Sequence, residues 1–296
     1  MQYDITQLRI HAEDLAQTGA KAVVERLELP DATRARTKST ATDYVTACDP
    51  LSEASIRQRA RELWGQTDHS FTGEETGAEP SRPGALRLIV DGVDGTANLF
   101  AGAPEFGVSV AIAVDGRVIA AAVAEPMSGR VYSAGLGLGA RLYDPSKAPY
   151  RRPLDARGVG RPLSQRLVAT GYSYQPDERR AQALVMAQLI SKIEDQRRCG
   201  SAVMDLCRTA DGVYGAYYEH HLNEWDWAAG LLICEEAGAT VNWPGTGGIA
   251  AHLGDPIFAC APELAEDLLQ LLADAGAADL AAPSSIVQHW LAGHAS

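Results

Sequence analysis

Apolar residues at Ile5, Leu8, Ala12, Leu15, Gly19 and Val23 recur at helical spacing with polar residues between them, which predicts an amphipathic N-terminal helix. Ile56, Ala60 and Leu63 predict a second helix over residues 51–64. The period then changes. Ala85 to Val90 is a short apolar run, β-branched at its end, and reads as a buried strand running into Asp91. Residues 106–114 and 118–123 are apolar runs flanking Asp115-Gly116, a strong hairpin signal, and Arg130 to Ser133 adds another strand. The series Gly135-Leu136-Gly137-Leu138-Gly139 lacks the spacing of a dinucleotide loop and reads as a turn between strands.

A polar, Arg- and Pro-containing stretch from about 144 to 164 separates two halves. The expected organisation is an N-terminal α+β half (1–150), a C-terminal α/β half (151–276) and an Ala-rich tail (277–296), read as a mobile or interface helix. Within the second half the pattern predicts a strand at 167–170, helices near 179–193 and over 201–209, and a strand near 213–218. A helix from Asp226 to a stop at Gly238 and a strand at 240–242 follow.

Acidic residues sit in short motifs that change this picture. Asp91-Gly92-Val93-Asp94-Gly95-Thr96 interlocks two Asp-Gly pairs at the end of a strand, so both carboxylates and the Val93 carbonyl can converge on one ion pair. Gly73-Glu74-Glu75 forms a Gly-bracketed acidic loop, and Trp225-Asp226 opens a helix. Taken alone, Asp226 reads as an N-cap, and a helix start beside a metal serves both purposes. Gathered carboxylates repel one another unless a cation neutralises them, and an oxygen-only donor set suits Mg²⁺, Mn²⁺ or Ca²⁺ better than zinc. The helical turn opening at Thr96 adds N–H groups that attract phosphate.

These motifs, with Lys38-Ser39 and Asp43-Tyr44-Val45-Thr46-Ala47-Cys48-Asp49, resemble those of the inositol monophosphatase family of Mg²⁺-dependent, lithium-sensitive sugar phosphatases. The resemblance spans most of the chain and implies the layered α/β (α+β) sandwich of that family. It implies that Glu74, Asp91 and the Val93 carbonyl hold one Mg²⁺ and that Asp91, Asp94 and Asp226 hold a second. A third, looser ion touches Glu74, Mn²⁺ can substitute, and Lys38 and Glu75 are accessory. Asp49 and Thr96 are the implied dyad that orients the attacking water, and Gly95 and Thr96 receive the phosphate. Ser201, Ala202 and Glu219 line the leaving-group pocket.

The implied activity is hydrolysis of a phosphomonoester, myo-inositol monophosphate first. Histidinol phosphate is the runner-up, because Glu219 can equally pair with an amine, and fructose 1,6-bisphosphate and 3′-phosphoadenosine 5′-phosphate are further alternatives. A non-enzymatic interaction protein on the same fold is the reading from another class. Family resemblance also implies a homodimer.

Two departures from the family pattern stand out. Gly92 replaces a usual proline, which suggests a more mobile turn, and Trp227 is bulkier than usual, so it either narrows the pocket or packs beneath its helix. His220 and His221, expected on opposite faces of a strand, are read as rim residues rather than zinc ligands.

The bulk properties agree. A net charge of -12 and a pI near 5.0 argue against a non-specific nucleic-acid or membrane surface. Five scattered cysteines without a C-x-x-C pair read as reduced, and with no long apolar run the expectation is a cytoplasmic enzyme.

Overall fold

The computed structural model describes residues 3–65, 69–148, 150–158 and 160–281. Strands β1 (Arg36–Thr37) and β2 (Tyr44–Val45) form a small ribbon. Strands β3 (His69–Gly73), β4 (Gly77–Ala78), β5 (Leu86–Asp94), β6 (Gly107–Val114), β7 (Arg117–Glu125), β8 (Arg130–Gly135), β9 (Ala140–Tyr143) and β10 (Arg151–Pro153) build an eight-stranded sheet. Its order is β10-β9-β8-β7-β6-β5-β3-β4, antiparallel except where β3 runs parallel to β5. A second sheet holds β11 (Leu167–Thr170), β12 (Asp195–Arg197), β13 (Ala216–Glu219), β14 (Thr240–Asn242) and β15 (Ile257–Cys260) in the order β12-β11-β13-β15-β14.

Among the described residues seven α-helices cover these sheets: α1 (Ile5–Leu27), α2 (Cys48–Trp64), α3 (Thr96–Ala101), α4 (Pro176–Leu189), α5 (Ala202–Ala210), α6 (Glu224–Glu236) and α7 (Ala265–Asp274). Strand alternation assigns their layers, because successive side chains leave opposite faces. On β5, Leu88 and Val90 pack with α1 and α2, while Ile89 faces α5 and α6. On β13, Tyr217 faces α5 and α6, while Ala216 and Tyr218 face α4 and α7. The result is helix, sheet, helix, sheet, helix, with α5 and α6 buried between the two sheets. Buried on all sides, α6 is apolar around its circumference from Ala228 to Cys234.

Much of this follows the hydrophobic pattern. Asp115 and Gly116 both take positive φ in the turn joining β6 to β7, and the glycine series at 135–139 is a turn whose Gly137 and Gly139 N–H groups donate to Glu236 at 2.7 and 2.8 Å. Two readings gain detail. The acidic loop at Glu74 is the tip of a hairpin, since β3 and β4 pair through Gly73 and Gly77. The tail is not loose at its start: residues 277–281 form a 3-10 turn with Ala277 and Leu280 buried against α4 and α7. Residues 282–296 lie outside the described residues. Among the described residues no helix is long and apolar enough to cross a membrane, and all five cysteines are free thiols.

Gly19 marks a tight contact of α1 with α2 and β6. A β-carbon there would lie 2.7 Å from Ile56 Cδ1 and Ser52 Oγ, and 2.9 Å from Val108 Cγ1. Alanine gains up to about 1 kcal/mol over glycine in a helix, whereas overpacking costs about 1–3 kcal/mol. Gly19→Ala is therefore expected to lower the midpoint of urea unfolding with the slope unchanged, and a raised midpoint would show that α1 yields at little cost.

Candidate metal centre

Asp91 and Asp94 are three residues apart, and on a regular strand they would face opposite sides of the sheet. A bulge prevents this. Asp91 pairs with Ser109 but Asp94 pairs with Gly107, so β5 carries one extra residue between them and the side-chain phase inverts. Both carboxylates then face one cavity, and the Val93 N–H donates to Asp91 Oδ1 at 2.9 Å to close the turn.

Asp226 arrives from α6. The helix is capped by Asn223 rather than Asp226, which stands three residues on and accepts from the Asn223 N–H at 2.8 Å. Arg87 of β5 grips Glu224 at the helix start, with Nη1 2.7 Å from Oε2, and Ser109 Oγ donates to the Trp225 carbonyl at 3.2 Å. These contacts fix the end of α6 against β5 and β6. Carboxylate oxygens of Asp91, Asp94 and Asp226 consequently lie within 4.8 Å of one another.

Glu74 stays outside that triplet but lines the same cavity. Lys38 Nζ donates to Glu74 Oε1 at 2.9 Å and also contacts Glu75. A residue without a motif, Glu53 of α2, holds the hairpin tip: it accepts from the Glu75 N–H and the Thr76 hydroxyl, both at 2.8 Å. Only glycine fits at 73, where a β-carbon would lie 2.4 Å from Glu53 Oε2.

Asp49 and Thr96 come together across 47 residues of sequence, with Thr96 Oγ1 donating to Asp49 Oδ1 at 2.6 Å. The other Asp49 oxygen accepts from the Thr46 N–H at 2.9 Å and the Thr46 hydroxyl at 2.6 Å. Gly92 permits this approach. A β-carbon there would lie 2.6 Å from the Asp49 carbonyl, so glycine at 92 allows close contact between α2 and the turn. Gly95, at φ 98°, starts α3 and lines the cavity.

Asp94 is held from α5. Ser201 Oγ and the Val203 N–H both donate to its Oδ2 at 2.7 Å, so the Ser201 hydroxyl supports a carboxylate while Ser201 and Ala202 line the cavity wall. Glu219 ends β13, almost buried, and accepts from the Tyr217 hydroxyl at 2.7 Å. The strand stops there, so His220 and His221 do not alternate across a sheet. Both border the cavity: His220 is a buried wall residue whose Nε2 donates to the Leu253 carbonyl at 2.9 Å, and His221 turns to φ 65°. Trp227 packs edge-to-face on Trp243 and leaves the cavity free.

The cavity measures about 280 Å³. Burial raises Glu74, Asp91, Asp94 and Asp226. Glu74 is pushed up to about 7 despite Lys38, and Asp94 to about 6 despite Ser201 and Val203. Asp91 is raised well above the carboxylate range by burial and then by Glu74, Asp94 and Asp226, and Asp226 by burial and then Asp94. Lys38 responds oppositely: burial lowers its pKa, but Glu74 and Glu75 outweigh this and raise it. Crowded, oxygen-only and desolvated, the set fits a hard divalent cation.

This layered scaffold, directing buried carboxylates and a hydroxyl–carboxylate pair into one polar cavity, defines the class of metal-assisted α/β phosphatases. The chain belongs to the inositol monophosphatase family, whose profile matches residues 4–277. It is 39% identical over 281 residues to an inositol-1-monophosphatase of Mycobacterium leprae, covering 91% of this chain and 94% of the relative. A Nus factor SuhB of Haemophilus influenzae is 35% identical over 227 residues, 76% of this chain and 81% of the relative. The solved structure of Mycobacterium tuberculosis SuhB matches with a TM-score of 0.77 at 33% identity, over 94% of this chain and 100% of the other.

Raised carboxyl pKa values mean that the metal-free folded protein binds more protons than the unfolded chain between about pH 4, where free carboxyls titrate, and about pH 7, the value for Glu74. Stability in EDTA must fall as pH rises through that window. Mg²⁺ should raise Tm more at pH 7.5 than at pH 5, where protons hold the same oxygens. Thermal melts with Mg²⁺ and with EDTA at both values check this, and an equal Mg²⁺ effect would contradict the assignment.

Proposed function

We propose that the protein is a Mg²⁺-dependent phosphomonoesterase that hydrolyses myo-inositol monophosphate to inositol and phosphate. The observation that carries this reading is the contact of the Thr96–Asp49 pair with the turn that bears Asp91 and Asp94. Glu74, Asp91, the Val93 carbonyl, Asp94 and Asp226 would hold two Mg²⁺ ions, with room for a looser third at Glu74; Mn²⁺ suits the same donors. When bound, the metal pair activates water and neutralises charge on the attacking and leaving oxygens.

The chain's own groups supply the rest. Thr96 has one hydroxyl proton, and the 2.6 Å contact to the Asp49 carboxylate claims it more strongly than the Val93 carbonyl at 3.0 Å. Its oxygen is then left to accept from a water, which it aims at phosphorus. Gly95 and Thr96 offer backbone N–H groups to the phosphate, and Ser201, Ala202 and Glu219 receive the alcohol. Lys38, paired with Glu74 and Glu75, partly neutralises the hairpin tip that carries Glu74.

Relatives named inositol-1-monophosphatase favour the inositol ester as substrate. Histidinol phosphate, fructose 1,6-bisphosphate and 3′-phosphoadenosine 5′-phosphate are the alternatives, while a relative named Nus factor favours an interaction role as a second reading. That role does not require the catalytic groups, yet Glu74, Asp91, Asp94, Asp226, Asp49 and Thr96 are all present. The enzyme reading is therefore the stronger.

Phosphate release from the four esters is expected to need Mg²⁺, to stop in EDTA and to fall with lithium, inositol 1-phosphate being the best substrate. A tenfold higher kcat/KM on histidinol phosphate would displace the inositol ester, and silence on all four would favour the interaction role. Asp94→Asn removes charge without volume, so it should lower kcat by at least about 100-fold with the fold retained. Near-normal turnover in that variant would refute the metal assignment.

A further inference from the structure

Asp49, Glu53 and Arg57 stand four residues apart along α2 and so share one face of the helix. Asp49 accepts from Thr96, whereas neither Glu53 nor Arg57 lines the cavity. Glu53 is fully buried and directs both oxygens at one short stretch of chain: Oε1 accepts from the Glu75 N–H and Oε2 from the Thr76 hydroxyl, each at 2.8 Å. Arg57 completes the grip. Its Nη2 donates to the Thr76 hydroxyl at 2.9 Å, its Nη1 pairs with Glu79, and its guanidinium lies 4.0 Å from the centre of the Phe71 ring. All these partners flank Glu74: Phe71 lies on β3, Glu75 and Thr76 at the hairpin tip, and Glu79 just past β4. Burying a carboxylate is costly and apolar packing often stabilises a fold as well, so the gain to look for is registry. One helix carries the Asp49 carboxylate and, a turn later, the anchor of the loop that presents Glu74.

We propose that Glu53 is a positioning residue for metal binding: through the Glu75 N–H and the Thr76 hydroxyl it fixes where the Glu74 carboxylate stands relative to the Asp49–Thr96 pair. The inference rests on the metal-dependent reading above and adds to it a residue that ligates nothing. The other group on the tip, Lys38, comes from the turn of the β1–β2 ribbon rather than from a packed helix, and its ammonium rides on a flexible stem. Glu53 lacks that freedom, because Gly73 seats against it with no space for a β-carbon. Loss of the anchor therefore lowers affinity for the ion at Glu74. It spares the cluster of Asp91, Asp94 and Asp226, which is braced from β5, the start of α5 and α6.

The test compares wild type, Glu53→Ala, Glu53→Gln and Ile56→Val by calorimetric Mg²⁺ titration of the EDTA-stripped protein and by the Mg²⁺ concentration that gives half-maximal phosphate release. Ile56→Val loosens the buried side of α2 without touching the hairpin tip, so it measures a merely structural loss. Glu53→Ala should weaken Mg²⁺ about tenfold or more by both measures, while kcat at saturating Mg²⁺ changes less than about threefold. Glu53→Gln keeps an oxygen for the Glu75 N–H and should recover most of the loss. Ile56→Val should lower Tm and leave Mg²⁺ affinity at the wild-type value. Unchanged affinity in Glu53→Ala overturns the proposal, as does an equal loss in Ile56→Val, which would make the effect one of stability alone. Should Glu53→Ala fail to fold, Thr76→Val removes one of the two anchors at the surface and should weaken Mg²⁺ about threefold, and no change there overturns the proposal equally. Tight Mg²⁺ binding without release from any ester would sink the phosphatase reading while the calorimetric comparison still decides this one. A wild type that binds no Mg²⁺ would end both.

Discussion

Crowding of buried carboxylates is the constraint to which the rest of the structure answers. Two unit charges about 4 Å apart repel by about 4 kcal/mol at an effective dielectric of about 20. Three close pairs among Asp91, Asp94 and Asp226 would therefore rival the whole net stability of a typical domain, about 5–15 kcal/mol. The folded chain cannot carry all of that charge bare. Either protons or a cation must enter, and the raised pKa values express the first solution where the second is lacking.

Each carboxylate is braced by a separate element, which is how the scaffold withstands the repulsion. The β5 bulge turns Asp91 and Asp94 to one side, the capping interaction with Asn223 fixes Asp226, and the start of α5 grips Asp94 through Ser201 and Val203. Two further braces work at a distance from the cavity. Glu53 holds the hairpin tip that presents Glu74, and the Arg87–Glu224 pair locks α6 to the strand carrying Asp91. Because these groups sit on packed helices and strands, the site is preorganised before any ligand arrives.

Legibility in the sequence followed the range of the interaction. The turn from Asp91 to Thr96 is legible because six residues contain its strand end, its glycines and its hydroxyl. The Asp49–Thr96 contact is visible only through family resemblance, since the two lie 47 positions apart. Glu53, Arg87 and the Val203 N–H carry no local signature, and a buried acid three residues before Ile56 was the one hint of the first. Local spacing also misled: Asp226 is the third residue of its helix and not the cap, and the expected alternation at His220 failed because β13 ends at Glu219. The apolar strand β15 and helix α7 do have local signals, since α7 follows a proline and carries Leu268, Leu269 and Leu272 at helical spacing.

Helix α5 joins the two halves of the chemistry. Its first residues hold Asp94, and one turn later Asp205 lines the same cavity. Ser201 and Asp205 are further tied by a backbone bond of 3.0 Å from the Asp205 N–H to the Ser201 carbonyl. A pull on Asp205 is therefore a pull on the same helical turn that holds Asp94. Packed between two sheets, with Val203, Leu206 and Cys207 buried, α5 has little freedom to absorb such a pull locally. The wall at Asp205 and the placement of Asp94 are thus coupled through one rigid element.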